Sequence, residues 1–267
     1  MSNKSFFGKV IWLTGASQGI GKALALELNS QGAKLILSAR NREALYAVKS
    51  ECTFNPIDVH ILPLDVTDMD EIKRITQEAQ RIYGKIDWLI QNAGISQRSY
   101  AEVTELKVDR TIMEVNYFGP VALTKAVLPD MIKRRSGNIA VVSSLVGKFG
   151  TPYRSSYAAS KHALHGFFDS LRAETEDRGV KVTMVCPGFI ATNLTLNALT
   201  GNGAPLNKID DAQKNGMPPK EFAVKMVKAL QKEKREVYIG GKEKWAVYLK
   251  RFFPSILASK IKNAKIR

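Results

Sequence analysis

Short apolar runs rich in β-branched residues recur along the chain, and segments of helical spacing lie between them. The runs are KVIWLTG (9–15), KLILSAR (34–40), VHILPLD (59–65), DWLIQNAG (87–94), NIAVVSS (138–144), VKVTMVCPG (180–188) and EVYIGG (236–241). Between the first two lies IGKALALELNSQG, in which Leu24 and Leu28 stand one helical turn apart. Nearly continuous apolar strands indicate burial on both faces, and parallel strands need crossover helices to supply that cover. The alternation therefore predicts an α/β fold: a doubly wound parallel sheet of about seven strands with helices on both faces. A chain of 267 residues, 45% hydrophobic, suits one such domain.

Two regions break the rhythm. Residues 189–217 are mostly polar and turn-rich but carry Leu194, Leu196 and Leu199, which fits a lid over a site. Residues 242–267 form a basic, amphipathic extension after the last run, so the domain is read as 1–241. That extension holds Lys242, Lys244, Lys250, Arg251, Lys260, Lys262, Lys265 and Arg267 against Glu243 alone, nearly half of the net charge of +15. The N-terminus has no leader pattern and no run is long enough to span a bilayer, so the cytoplasm is the expected location. Cys52 and Cys186, the only cysteines, offer neither a disulfide framework nor a metal cluster. The charge permits nucleic-acid binding, but no nucleic-acid module is recognisable and none is expected.

WLTGASQGIGKAL places Gly15, Gly19 and Gly21 between the first strand and the first helix. Glycine lets the backbone turn and approach a pyrophosphate, while the helix N-terminus offers free N–H groups and a positive dipole end. The alternative is a plain turn, but the strand-before, helix-after position favours a Rossmann-type dinucleotide site. At the end of the second strand an acid would bind the ribose hydroxyls of NAD. This chain has Ser38, Ala39 and Arg40 there. A guanidinium at that place suits the 2′-phosphate of NADP(H), so NAD(H) is less expected.

YAASK puts Tyr157 and Lys161 on one helix face. An amphipathic surface helix would give the same pattern. A functional reading needs the phenol, which normally titrates near 10, brought to about 7, a shift worth roughly 4 kcal/mol. One cation about 4 Å away contributes on the order of 4 kcal/mol at an effective dielectric of about 20. The spacing thus has the right size of effect for an acid–base tyrosine.

Seven short motifs then fall in order: TGASQGIG (14–21), LDV (64–66), NAG (92–94), VN (115–116), SS (143–144), YAASK (157–161) and PG (187–188), with Thr192 beyond. From about residue 8 to 241 the chain resembles the short-chain dehydrogenase/reductase family. Its flavour is that of the dehydrogenase/reductase member 7 branch, related to the 11-beta-hydroxysteroid dehydrogenases. Gln91 departs from the asparagine many members carry. The resemblance implies catalytic roles for Asn116, Ser144, Tyr157 and Lys161, with Ser144 and Tyr157 touching substrate. It also implies cofactor contacts from Thr14, Gly15, Ser17, Gln18, Gly19, Ile20, Gly21 and Arg40. Further contacts are implied from Asp65, Val66, Asn92, Ala93, Gly94, Tyr157, Lys161, Pro187, Gly188, Ile190 and Thr192. No metal is implied. His162 and His165 are read as packing or surface residues.

The expected function is an NADP(H)-dependent oxidoreductase that transfers a hydride between nicotinamide and a carbonyl or secondary alcohol of a hydrophobic, lipid- or steroid-like substrate, with Tyr157 as acid–base group. Leu145, Val146, Phe149, Tyr153 and the leucines of 189–217 are candidates to line its pocket. Two alternatives stand beside it: a 3-oxoacyl-[acyl-carrier-protein] reductase, and a non-catalytic NADP(H)-binding sensor. The family resemblance implies a homodimer or homotetramer. The mixture of aromatics and cations in 242–267 is compatible with peripheral membrane contact or with packing on the body.

Overall fold

A computed structural model describes residues 5–208 and 210–262. Position 209, within the expected lid, lies outside the described residues, as do Lys265 and Arg267 of the basic extension. The elements run β1 (Val10–Thr14), α1 (Gly19–Ser30), β2 (Lys34–Ser38), α2 (Arg42–Ser50), β3 (Val59–Ile61), α3 (Met69–Tyr83) and β4 (Trp88–Gln91). There follow α4 (Leu106–Met113), α5 (Gly119–Lys133), β5 (Gly137–Val142), α6 (Ser155–Thr175) and β6 (Val180–Pro187). The chain continues through α7 (Asp211–Lys214), α8 (Pro219–Gln231), β7 (Glu236–Ile239), α9 (Trp245–Phe252) and α10 (Pro254–Lys262).

Among the described residues the sheet has seven strands in the order β3-β2-β1-β4-β5-β6-β7, every pair parallel. Each strand falls on one of the predicted apolar runs, β5 beginning one residue before its run, at Gly137. The order reverses between β1 and β4, and ligand crevices open at the carboxyl ends of strands beside such a reversal.

Strand β1 shows why the sheet is covered twice. Ile11 and Leu13 point into a core with Leu24 and Leu28 of α1 and with Phe222, Met226 and Leu230 of α8. Val10 and Trp12 point into the opposite core, with Ile72 and Ile75 of α3, Leu123 and Val127 of α5, and Phe168 of α6. The period-two alternation of side chains along one strand thus feeds two separate layers. Buried polar groups beside this strand find partners: the Trp12 indole donates to Ser38 Oγ at 2.8 Å, and Asp87 accepts the Val10 amide at 2.9 Å.

Local signals set several boundaries. Asn41 caps α2 by accepting the Ala44 amide, and Asp68 caps α3 by accepting the amides of Asp70 and Glu71. Gly84, left-handed at φ 74°, ends α3. Between α4 and α5 the helix widens into a π-turn over Glu114–Phe118, and Asn116 sits inside it, fully buried.

The two irregular regions are both packed onto the body. Segment 189–217 is pinned by an isolated bridge from Leu199 to Gln97 and closed on itself by one from Ile190 to Met217, with Thr195 and Ala198 fully buried. Helices α9 and α10 fold back so that Leu257 is buried and Ala246, Leu249 and Ile261 are half-buried against Leu145, Val146 and Phe149. Trp245, Phe252, Phe253 and Ile256 remain exposed. No described helix is long and apolar enough to cross a membrane.

Candidate active site

The glycines after β1 are where the backbone demands them. Gly15 and Gly19 have φ of +63° and +54°, a region that side chains disfavour. A Cβ on Gly15 would lie 2.8 Å from Ala93 Cα, and one on Gly21 would run into the Gly15 carbonyl. Gln18, the residue before α1, makes no side-chain cap, and the first turn holds no acid. The amides at this helix start are therefore left by the chain's own side chains for an anion.

From this turn a groove runs in both directions. Toward the sheet edge it is lined by Thr14, Gly15, Ser17, Gln18, Arg40, Asp65, Val66, Ala93 and Gly94. Toward the other side it is lined by Gly19, Ile20, Asn92, Ser144, Tyr157, Lys161, Pro187, Gly188, Ile190 and Thr192. Every sequence-predicted cofactor residue lines the groove except Gly21, which is buried behind it and lets Gly15 approach. Asn92 ties the two halves by donating to the carbonyls of Thr14 and Gly15, at 3.3 and 3.0 Å. The length of the groove, its glycine floor and the open helix start fit a dinucleotide, with its phosphates at the turn.

Helix α6 carries Tyr157 and Lys161 to the same end of the groove, and Ser144 follows β5. Lys161 Nζ donates to the Val142 carbonyl at 2.9 Å and stands 5.8 Å from the centre of the Tyr157 ring. Burial pushes the phenol above its ordinary value. The Ser144 hydrogen bond opposes that rise most strongly, followed by the positive charges of Arg154 and Arg98. Burial also lowers Lys161 to about 8. The lowering toward neutrality expected from one lysine is thus not seen here: burial outweighs the hydroxyl and the two arginines that oppose it.

Asn116 lies behind the groove. Its Oδ1 accepts the Ile95 amide at 2.9 Å, and its Nδ2 donates to the Ile95 carbonyl at 2.9 Å and to Ser160 Oγ at 3.0 Å. The side chain is committed to holding the 92–95 loop against α6. His165 is buried beneath, bonded to Ser143 Oγ at 3.1 Å, and burial pushes it well below the usual histidine range. His162 bonds the Ala158 carbonyl within its own helix.

Beside Tyr157 opens a second cavity of about 250 Å³. Leu145, Val146, Phe149, Phe189, Ile190 and Leu194 form much of its wall, and Ala246, Leu257 and Ile261 of the C-terminal helices close it. Leu196, Leu199 and Tyr153 do not line it, contrary to expectation. Tyr153 instead stacks on Tyr100, ring centres 4.5 Å apart, and the hydroxyls meet at 2.7 Å. Sequence reasoning also missed Arg98, Arg154 and Asp210, which form a buried ion cluster on this cavity. One signal was available: Arg154 precedes a helix start, where the dipole disfavours a cation and some compensation is required.

The sequence model of the short chain dehydrogenases matches residues 9–202. The chain belongs to the short-chain dehydrogenase family. It is 44% identical over 258 residues to a dehydrogenase/reductase SDR family protein 7-like from Anopheles gambiae, covering 93% of this chain and 80% of that one. A short chain dehydrogenase from Burkholderia cenocepacia, solved in complex with NADP, superimposes with a TM-score of 0.80 at 25% identity, over 98% and 100% of the two chains. One from Burkholderia phymatum, solved in complex with NAD, gives 0.84 at 20% identity over 96% of each, a likeness of fold. As a short-chain dehydrogenase of the member 7 branch, the chain is an oxidoreductase for CH–OH and C=O groups built to bind a nicotinamide cofactor.

Proposed function

We propose that the chain is an NADP(H)-dependent dehydrogenase or reductase of a hydrophobic substrate, with Tyr157 as its acid–base group. One observation carries this reading: Ser144 and Tyr157 line both the cofactor groove and the apolar cavity. At that junction a hydroxyl can touch a substrate oxygen while the adjoining carbon faces the cofactor. The bound dinucleotide supplies or accepts the hydride. Ser144 donates a hydrogen bond to the carbonyl oxygen, polarising it and fixing its position. Tyr157 gives its proton to the developing alkoxide, or takes one in the oxidative direction. Lys161 spends one of three N–H donors on Val142, leaving two for the ribose hydroxyls, and its charge favours the ionised phenol. Asn116 acts behind them as a positioning residue for the loop and for the Tyr157 helix.

Arg40 supports the preference for NADP(H). It lines the adenosine end of the groove, and Asp65, the acid there, has its Oδ1 engaged by the Thr67 amide and hydroxyl at 2.9 and 2.8 Å. The decisive experiment is Tyr157→Phe. Turnover of a panel of apolar ketones and aldehydes is expected to fall by about a thousand-fold. NADPH binding, read by its fluorescence, stays near that of the unaltered protein. Turnover close to wild type overturns the mechanism.

A second reading concerns how such a substrate arrives. Trp245 and Phe252 are 63% and 68% exposed, and Lys244, Lys250 and Arg251 flank them, beside helices that close the apolar cavity. Aromatics with cations suit an anionic bilayer surface, which supports peripheral membrane contact. The protein is expected to sediment with phosphatidylserine vesicles, and a Trp245→Ala/Phe252→Ala double variant to lose most of that association. Equal sedimentation of the two proteins removes this reading.

A further inference from the structure

The cavity beside Tyr157 has a cationic corner whose charge bears on the phenol but whose hydrogen-bonding capacity the hydride chemistry does not use. Arg98, just after β4, and Arg154, at the start of α6, have side chains only 8% and 6% exposed. Both guanidiniums converge on a single oxygen, Asp210 Oδ2, at 2.8 Å from Arg98 and 3.2 Å from Arg154. Among the described side chains the cluster thus sets two cations against one carboxylate. Glu243, the acid that lines the cavity wall itself, has its Oε1 occupied by the amides of Phe189 and Gly241, at 3.1 and 2.9 Å.

The two arginines differ in how they are held. Arg98 donates through Nε and Nη2 to Asp210, through Nη1 to Ser96 Oγ and the Gln97 carbonyl, and through Nη2 to Thr195 Oγ1. It is a clamp between the loop after β4 and segment 189–217. Arg154 makes two long contacts, 3.2 Å to Asp210 and 3.4 Å to Thr151 Oγ1, from a group with five N–H donors. Burial and the repulsion of Arg98 lower it to about 10, with Asp210 only partly offsetting them. A buried, loosely bonded guanidinium facing a cavity is a site for a planar or tetrahedral anion.

We propose that this corner is a subsite for an anionic end group, carboxylate or phosphate, of an otherwise apolar substrate, with Arg154 as the group that binds it. The assignment rests on the reading that the cavity beside Tyr157 takes the substrate. The substrate is then an amphiphile. Its reacting oxygen lies at Ser144 and Tyr157, its hydrocarbon along Phe149 and Leu257, and its acid against Arg154. Asp210 competes with that acid for the same guanidinium, while Arg98 holds Asp210 in place and adds to the positive field.

Calorimetry on the full chain with NADPH tests this without turnover, using decanoate, decyl phosphate and decanol as probes. At least one anion is expected to bind about ten-fold or more tightly than the alcohol. Arg154→Gln abolishes that preference, and Arg154→Lys keeps part of it. Asp210→Asn, which removes the competing charge, tightens the anion further, whereas a purely structural cluster would be loosened. This last variant keeps the idea testable if Arg154→Gln does not fold. Equal or absent binding of anion and alcohol, a preference that survives Arg154→Gln, or weaker anion binding in folded Asp210→Asn overturns the subsite. Comparing the two anions separates a carboxylate site from a phosphate site. Because the readout is binding, failure of every carbonyl to be turned over would sink the hydride reading and leave this result intact.

Discussion

The dinucleotide groove and the apolar cavity share Ser144 and Tyr157 but are built on different principles. Much of the groove is main chain. Its lining comes from short turns at the carboxyl ends of consecutive strands: 14–20 after β1, 38–41 after β2, 64–66 after β3 and 92–95 after β4. The cavity is side chain. It gathers Arg98, Leu145, Arg154, Phe189, Gln213 and Leu257 from segments scattered over more than half the chain. The groove is therefore intolerant of added atoms and nearly indifferent to side-chain chemistry. The cavity can change its chemistry residue by residue without disturbing the sheet.

Three perturbations break or sharpen that contrast. The largest effect belongs to Gly21→Val, which puts a branched side chain against the Gly15 carbonyl. NADPH affinity, measured by fluorescence titration, is expected to fall about a hundred-fold or more. Unchanged affinity would mean that backbone approach does not define the groove.

Lys161, which lies where the two regions meet, gives the next effect and a pH dependence of definite sign. Its pKa is lowered to about 8 in the folded protein against an ordinary 10.5. Between those values the unfolded chain binds the extra proton, so stability attributable to this residue rises with pH. Below about pH 8 both states are protonated and the full burial penalty is felt, while above about 10.5 the penalty is gone. Lys161→Met is thus expected to be more stable than the parent at pH 7. That advantage shrinks by up to about 3 kcal/mol as pH rises through the window. Denaturant titrations of both proteins at several pH values check this, and a difference that stays flat with pH refutes a buried ammonium.

Arg40→Ala is the mildest. It touches the groove at a point where a side chain does matter, and it is expected to weaken NADPH by about ten-fold or somewhat more while leaving NADH unchanged. Equal losses for both dinucleotides would remove the 2′-phosphate from the account.

The contrast also explains what could be read in advance. Strands β1 and β4 were legible because burial on both faces leaves continuous apolar runs, and the glycine turn because its constraints are local. In the run 59–65, only Val59–Ile61 is strand, although the amides of Leu62 and Leu64 still reach the carbonyls of Leu37 and Ala39 on either side of Pro63. Tyr157 and Lys161 were legible as a spacing, but the distance of Nζ from the ring was not, because Val142 draws the ammonium aside. Arg98, Arg154 and Asp210 were invisible as a group. Their meeting depends on where segment 189–217 comes to rest, and no local pattern encodes that. The tail was read as either packed or surface-active. Leu257 packs on the body, while Trp245 and Phe252 stay exposed.

The C-terminal helices close the cavity from the far end of the sequence, and this has a consequence during synthesis. A ribosome releases β1 to β7 before α9 and α10, so the glycine turn, the sheet and the Tyr157 helix can assemble first. The nascent chain then has a nicotinamide crevice but lacks the wall that Ala246, Leu257 and Ile261 provide. Competence to hold the coenzyme precedes competence to select what it reacts with, and the final turns of helix complete the second.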